Sequence, residues 1–232
     1  MRRFVTPHKR IAADLWANSR LRTILRLVSP TNAKVLDLGC GPGYMGNALA
    51  RLGNDVYYAD ISREELDSVD APDDHKILCD ATAGSAFEPE SFDWVLCGDL
   101  LEHVKDDIAV LRNIRNALKT GGRAVITVPA HTRMYGHHDK LIGHLRRYDR
   151  APFREELISV GFSVIQSRFL CSLLFFPFVI NQILLHRDST YKGTSKYEEI
   201  LMGALNLFSE LDSRVRLPFG VGLVFIVEKQ DP

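Results

Sequence analysis

The sequence is short of cysteine and has no surplus of either charge. Its four cysteines, Cys40, Cys79, Cys97 and Cys171, stand far apart among 232 residues, and no two form a Cys-x-x-Cys pair. This excludes a disulfide framework and reads as free thiols in a reducing compartment. Basic and acidic side chains number 29 each, so the formal net charge is zero. A dedicated nucleic-acid binder would show a basic surplus. No apolar run follows the basic start Met1-Arg2-Arg3-Phe4, so no secretory signal is expected and the expected location is cytoplasmic. There is no internal repeat and no low-complexity tract. The composition excludes a collagen, a coiled coil, a disordered chain and a multi-span membrane protein. What the sequence does have is an apolar fraction of 46%, enough for the core of one domain with an added lid or cap.

Apolar residues recur at roughly helical spacing over residues 1–30, up to Ser29-Pro30. Short apolar strands then alternate with helices. The strands are read at 34–38, 56–59, 75–79, 92–97 and 123–128, with helices at 44–52, after Ser62, and over 106–118. This alternation predicts a parallel α/β sheet. Residues 130–150 break the rhythm with four histidines and Arg146-Arg147, and their length suggests a functional loop or lid. A helix is read over 151–160, a sixth strand from Gly161 to about 166, and a last strand at 222–227. Residues 169–217 form an insertion between those two strands.

The strongest local signal is Val35-Leu36-Asp37-Leu38-Gly39-Cys40-Gly41-Pro42-Gly43. Glycines let a backbone pass close to a ligand, and a turn between strand and helix is expected to aim free N–H groups at it. Gly41, Gly43 and Gly46 also spell the G-x-G-x-x-G of a dinucleotide site, a weak signal by itself. Asp37, at the strand end, would repel a diphosphate and welcome a cationic amino group. Asp60 closes the second strand, where a carboxylate accepts hydrogen bonds from ribose hydroxyls. Asp80 closes the third, near an adenine. Acids at three successive strand ends suit a nucleoside bearing an amino acid.

These residues, with Tyr57-Tyr58-Ala59-Asp60, Leu78-Cys79-Asp80-Ala81 and the run from Ser91 to Val104 ending in Glu102-His103-Val104, resemble the class I S-adenosylmethionine-dependent methyltransferases. The resemblance covers about residues 30–130. It implies a Rossmann-like, doubly wound sheet of seven strands with an antiparallel last strand, and S-adenosylmethionine as cofactor. By the same resemblance Asp37, Gly39, Cys40 and Gly41 face the methionine part and the turn. Asp60 and Ile61 hold the ribose and flank the adenine, which Asp80 and Ala81 contact. Gly98, Asp99 and Leu100 line the sulfonium side, with His103 next to them. Gly98-Asp99 departs from the small polar residue and acid or asparagine usual in relatives. The string Gly143-His144-Leu145-Arg146-Arg147-Tyr148 resembles a segment found in a subset of these enzymes, and that subset does not identify the acceptor.

Methyl transfer needs alignment and exclusion of water, and an oxygen acceptor needs a base as well. The candidate bases are His131, His103 and His144. Arg146, Arg147 and Tyr148 are candidates for holding an anionic group of the acceptor, or else form a charge pair at a helix start with Glu155 or Glu156. His131, His137, His138, Asp139 and His144 match no standard zinc spacing, and no metal site is expected. Residues 169–185 are almost wholly apolar but interrupted by Pro177 and by Asn181-Gln182. They are too short to span a membrane. A cap over the acceptor pocket, contact with a membrane interface and a homodimer face are the competing readings, the cap favoured. The expected organisation is a helical segment at 1–30, a core at 31–168 and 218–232, and a helical cap at 169–217.

The expected activity is methyl transfer to an oxygen or nitrogen of a small or lipid-like, anionic acceptor. The absence of an Asn-Pro-Pro-Tyr or Asp-Pro-Pro-Tyr string after the fourth strand speaks against nucleic acid. Two alternatives stay open: a nicotinamide-dependent oxidoreductase built on Gly41, Gly43 and Gly46, and a non-catalytic partner that binds S-adenosylmethionine.

Overall fold

The computed structural model describes residues 20–84, 87–173, 175–176 and 210–230. The strands are β1 (Lys34–Leu38), β2 (Asp55–Asp60), β3 (Lys76–Leu78), β4 (Phe92–Gly98), β5 (Leu118–Pro129), β6 (Phe162–Leu170) and β7 (Gly222–Lys229). The helices between them are α1 (Tyr44–Ala50), α2 (Arg63–Ser68), α3 (Asp107–Ala117), α4 (His137–Ile142) and α5 (Arg150–Ser159). The seven strands form one sheet in the order β3-β2-β1-β4-β5-β7-β6. Neighbours among the first five run parallel, and β7 runs antiparallel to β5. The α/β fold and the antiparallel last strand are as the sequence led one to expect.

The buried stretches of the central strands are largely apolar, as in a parallel sheet covered on its faces. Leu36, Val95, Ile126 and Phe225 are fully buried in β1, β4, β5 and β7. Capping chemistry fixes the helix starts. The Ser62 hydroxyl accepts the Glu65 N–H ahead of α2, and the Asp106 carboxylate accepts the Ala109 N–H ahead of α3. Val110, Leu111, Ile114 and Ala117 form the buried stripe of α3.

Three elements differ from the sequence reading. β5 starts at Leu118 rather than at Arg123, and its pairing with β4 shifts register between Phe92 and Trp94. Gly121, at φ 73°, makes the turn read from Gly121-Gly122 an irregularity within the strand. β6 continues to Leu170. Residues 130–150 are not a bare loop, because a single 3-10 turn (Thr132–Met134) and α4 lie within them. Aperiodic polar sequence hides α4, whose six residues offer too few apolar positions to show a period.

The chain separates into two compact units, Ser29–Arg168 with Gly222–Pro232 and Met1–Val28 with Phe169–Val221. In the second, residues 20–27 are helical and Ile24 is buried. Arg22 and Arg26 both pair with Glu210, and the Leu173 N–H donates to Asp212. Phe175, Phe176 and Phe219 pack ring against ring. Residues 1–19 of the expected N-terminal segment, and most of the expected cap at 169–217 with its apolar run 169–185, lie outside the described residues. Among the described residues no helix is long and apolar enough to cross a membrane.

Helix α1 approaches the sheet closely at Gly46. A Cβ there would lie 2.4 Å from Cε1 of Tyr58 and 2.8 Å from Oδ2 of Asp37. Tyr58 is 2% exposed, so its ring has nowhere to go. Gly46→Ala should therefore destabilise the protein by about 1–3 kcal/mol despite alanine's better helix propensity, as strained overpacking does. Urea unfolding of the two proteins checks this; equal midpoints would refute the close packing.

Candidate functional site

The turn between β1 and α1 is built from left-handed residues. Gly39, Gly41 and Gly43 have φ of 69°, 50° and 77°, which L side chains rarely adopt. Its N–H groups do not point at open space. Those of Gly39 and Cys40 both donate to the Ala59 carbonyl, at 2.8 and 3.1 Å, and that of Gly43 donates to the Cys40 carbonyl. The Gly41 N–H donates to Oδ2 of Asp60 at 2.9 Å. The Gly46 N–H, in the first turn of α1, donates to Oδ2 of Asp37 at 2.8 Å. The expectation of free N–H groups facing a ligand is thus corrected. Asp37 is 3% exposed and already sits where a diphosphate would meet the helix. The dinucleotide reading of Gly41, Gly43 and Gly46 loses its electrostatic basis, because an anion there would face a buried carboxylate.

What remains open suits a different ligand. A Cβ on Gly41 would meet nothing within 4 Å, whereas one on Gly39 would come within 3.0 Å of Leu100. Gly39 therefore serves packing, and Gly41 leaves a free face. Asp60 has its second oxygen on the Ser62 N–H at 2.8 Å. Ile61, next to it, is 72% exposed, an apolar side chain left uncovered beside the carboxylate. Asp80 is exposed, and its Oδ1 accepts both the N–H and the hydroxyl of Thr82. Those bonds hold its carboxyl below the usual aspartate value. The Ala81 carbonyl accepts from Asn113. Burial, with Asp37 and Asp60 nearby, pushes the Cys40 thiol well up, so it is an inert lining group and no nucleophile.

β4 and β5 pair with Gly98 opposite Thr127, so the chain leaves both strands at the same sheet edge. There Asp99 takes φ 52°. Its N–H donates to the Thr127 carbonyl, and the Thr127 hydroxyl donates to its Oδ1 at 2.8 Å. His131, just past β5, is held at φ 65° and ψ 94°, a strained backbone for a residue with a Cβ. Its N–H donates to the Tyr148 carbonyl.

The structure brings two of the histidines together. The rings of His103 and His144 meet edge to face at 4.8 Å between centroids. Nδ1 of His103 donates to the Gly143 carbonyl, and Nδ1 of His144 lies 3.1 Å from Oδ1 of Asp139. Low-dielectric surroundings first, then the neighbouring His144 ring, push the His103 imidazole below the ordinary histidine value. Nε2 of His144 lies 3.7 Å from Oε1 of Glu102, which is fully buried. His137 and His138 are exposed.

The arginines and Tyr148 are engaged by carboxylates of the chain itself. Arg147 is 5% exposed; its Nε donates to Oδ1 of Asp139 at 2.8 Å and its Nη1 to the Ala130 carbonyl. Arg146 donates to Oδ2 of Asp107 at 2.8 Å and to the carbonyls of Val104 and Lys105. The Tyr148 hydroxyl donates to the same Asp107 oxygen at 2.7 Å. The recess these residues line also contains Asp107, Asp149 and Glu156, an acid-rich wall. The carboxylates hydrogen-bonded to the arginines are Asp107 and Asp139, 39 and 8 residues from the arginines they meet, and Glu156 feels the Arg146 charge as well; no spacing rule in the sequence connects Asp107 or Asp139 to them.

The family model that matches the chain is described as a methyltransferase domain and covers residues 9–167. Among curated proteins, a ubiquinone biosynthesis O-methyltransferase of Xanthomonas campestris pv. campestris (strain B100) is 37% identical over 109 residues, 44% of this chain and 46% of that protein. One of Ralstonia nicotianae is 39% identical over 97 residues, 38% and 40% of the two chains. The chain spans less than half the length of these curated relatives. Of solved structures, a SAM dependent methyltransferase from Archaeoglobus fulgidus superposes with a TM-score of 0.60 at 18% identity, over 91% of this chain and 92% of that one. A Burkholderia thailandensis 1,6-didemethyltoxoflavin-N1-methyltransferase with bound S-adenosylhomocysteine gives 0.59 at 16%, over 95% and 81%. At such identity these two attest the fold.

Asp139 organises the loop, accepting from Gly136, His144 and Arg147. Those donors hold its carboxyl at about 2 against the desolvation that opposes them. A depressed folded value means a contribution that is complete above the unfolded aspartate value near 4 and is lost as pH falls toward 2. Asp139→Asn leaves the buried Arg147 without its counter-charge and should cost about 3–5 kcal/mol at neutral pH. Thermal unfolding across the acid range should show the variant losing less on acidification than the parent. A variant as stable as the parent at neutral pH would remove Asp139 from this role.

Proposed function

Because the chain belongs to the methyltransferase-domain family, we propose that it transfers a methyl group from S-adenosylmethionine to a hydroxyl oxygen of a small molecule. The observation that carries this is the buried Asp37 at the start of α1, bonded to the Gly46 N–H. It converts a turn that resembles a phosphate cradle into one that favours a cation. The open face at Gly41, the exposed Ile61 and the carboxylates of Asp60 and Asp80 fit an amino-acid nucleoside lying across β1, β2 and β3. The Xanthomonas and Ralstonia relatives are O-methyltransferases, which favours oxygen over nitrogen as the acceptor atom. Both arginines are occupied by Asp107 and Asp139, so the anionic character first expected of the acceptor has no support from them.

S-adenosylmethionine, when bound, supplies a methyl group already activated on its sulfonium. The chain's residues then have three tasks. Asp37, Asp60 and Asp80 hold the donor's polar groups, while Gly41 and Ile61 leave room for it and cover it. Asp99 and Leu100, after β4, wall the side on which the acceptor approaches. His131, held in a strained conformation after β5, would take the proton of the acceptor hydroxyl, with S-adenosylmethionine supplying the methyl group and leaving as S-adenosylhomocysteine. In-line geometry and exclusion of water supply most of the acceleration.

Calorimetric titration with S-adenosylhomocysteine and with NADH should give saturable binding of the first and none of the second. The reverse pattern would replace this reading with the oxidoreductase. Asp60→Ala should weaken S-adenosylhomocysteine binding by about 1–3 kcal/mol, the size of charged hydrogen bonds lost. Once an acceptor is identified, His131→Ala should lower turnover and leave S-adenosylhomocysteine affinity unchanged. Undiminished turnover would remove His131 as the base.

A further inference from the structure

Glu102, His103 and His144 form a group whose candidate ligand atoms all lie within 4.8 Å of one another. Each is prepared in the way metal ligands are. Nδ1 of His103 is tied to the Gly143 carbonyl, and Nδ1 of His144 to the buried carboxylate of Asp139. Both bonds fix the ring and the tautomer, leaving Nε2 as the ligating nitrogen of each imidazole. Asp139 is in turn held by Arg147 and by the Gly136 N–H, so the support extends outward through charged groups. The third member, Glu102, is a fully buried carboxylate facing Nε2 of His144 at 3.7 Å. That separation is too long for a hydrogen bond. Ligand atoms about 2.1 Å from an ion stand roughly 3.0–3.4 Å apart at the edges of an octahedron or tetrahedron. The widest separation in the group therefore needs to close by roughly 1.5 Å to hold one ion.

We propose that Glu102, His103 and His144 bind one first-row divalent cation, Zn2+ being the best match, through one carboxylate oxygen and two imidazole nitrogens. Two imidazoles and one carboxylate favour a transition metal over Mg2+, and three protein ligands leave a coordination position open. Glu102 and His103 follow β4, on the sheet edge where the preceding reading puts the acceptor. On that reading the open position takes the acceptor hydroxyl and eases loss of its proton to His131. The placement of the ion rests on these three residues; its use in methyl transfer rests on the proposed function.

The test uses the full chain, stripped with a chelator and titrated with Zn2+ by calorimetry and with Co2+ by visible absorption. S-adenosylhomocysteine is titrated into the same samples. One equivalent of Zn2+ should bind, and Co2+ should give the ligand-field bands of imidazole coordination. His103→Ala changes an exposed residue and should fold. It and Glu102→Gln should each weaken Zn2+ binding by about tenfold or more, while His137→Ala should leave it unchanged. Absence of saturable Zn2+ binding by a chain that binds S-adenosylhomocysteine would overturn the metal site and leave the methyltransferase reading intact. Zn2+ binding that survives both variants would overturn it too, since the ion would then sit elsewhere. Zn2+ binding lost in both variants, in a chain that ignores S-adenosylhomocysteine, would uphold the site and remove the role assigned to it.

Discussion

The contact on which the site depends is the seating of α1 against the sheet at Gly46. Only a residue without a Cβ lets the helix come close enough for its N–H to reach the carboxylate of Asp37. That bond satisfies one donor of the helix start and one acceptor of a buried acid together. The Tyr58 ring closes the other side of the glycine, and its hydroxyl donates to Asn47 on the same helix. Burial first, with Asp37 close by, pushes that phenol up to about 12, so it stays neutral beside the carboxylate. With α1 fixed, the glycine turn is pinned to β2 through the Ala59 carbonyl and Asp60. The electrostatic sign of the pocket is a by-product of this packing: a fold that must bury Asp37 here has already chosen between an anionic and a cationic guest.

The second organising acid works in the same manner at the other end of the site. Asp139 draws together a backbone N–H, an imidazole and a guanidinium from within twelve residues of chain, converting a polar segment into a fixed structure. Burying an arginine is costly unless a carboxylate accompanies it. Arg147 has one, and so it can sit under the loop and bond the Ala130 carbonyl. The histidines inherit their orientation from this arrangement. His144 is aimed by Asp139, and His103 by the carbonyl of Gly143, whose own φ is 84°. The chemistry proposed for the imidazoles is therefore only as good as the ion pair beneath them.

How much of this was legible in the sequence follows from the range of the interactions. Most strands were legible because they contain a short apolar run bounded by an acid or a glycine, a local signal; the extra length of β5 and β6 was not. The caps at Ser62 and Asp106 were legible for the same reason: donor and acceptor are three residues apart. The glycine turn was legible as the link between β1 and α1, but the direction of its N–H groups was misread. Its N–H groups are consumed by Ala59, Asp60 and Asp37, and only pairing of β1 with β2 brings those acceptors there. The partners of the arginine pair were hidden for a related reason. An exposed guanidinium and a buried one look identical as letters, and the partner of Arg146 lies on α3, across the fold. Glu102 stood out only as part of an acid–histidine pair; that its carboxylate is buried and meets His144 is a tertiary fact.

Arg146 and Arg147 are neighbours in the chain, yet one reaches Asp107 and the other Asp139. Adjacent side chains on extended backbone leave it on opposite sides. Just before the bridge between Ala130 and Tyr148, the two guanidinia accordingly depart toward different carboxylates. A segment drawn as a connection is usually free to gain or lose a residue over evolutionary time. Here a residue gained or lost between Asp139 and Arg147 would break the spacing at which one carboxylate meets both His144 and the buried guanidinium, stranding a charge in the interior. The length of this stretch should consequently be as invariant as that of a strand, and homologues of different length ought to have lost Asp139 and Arg147 together.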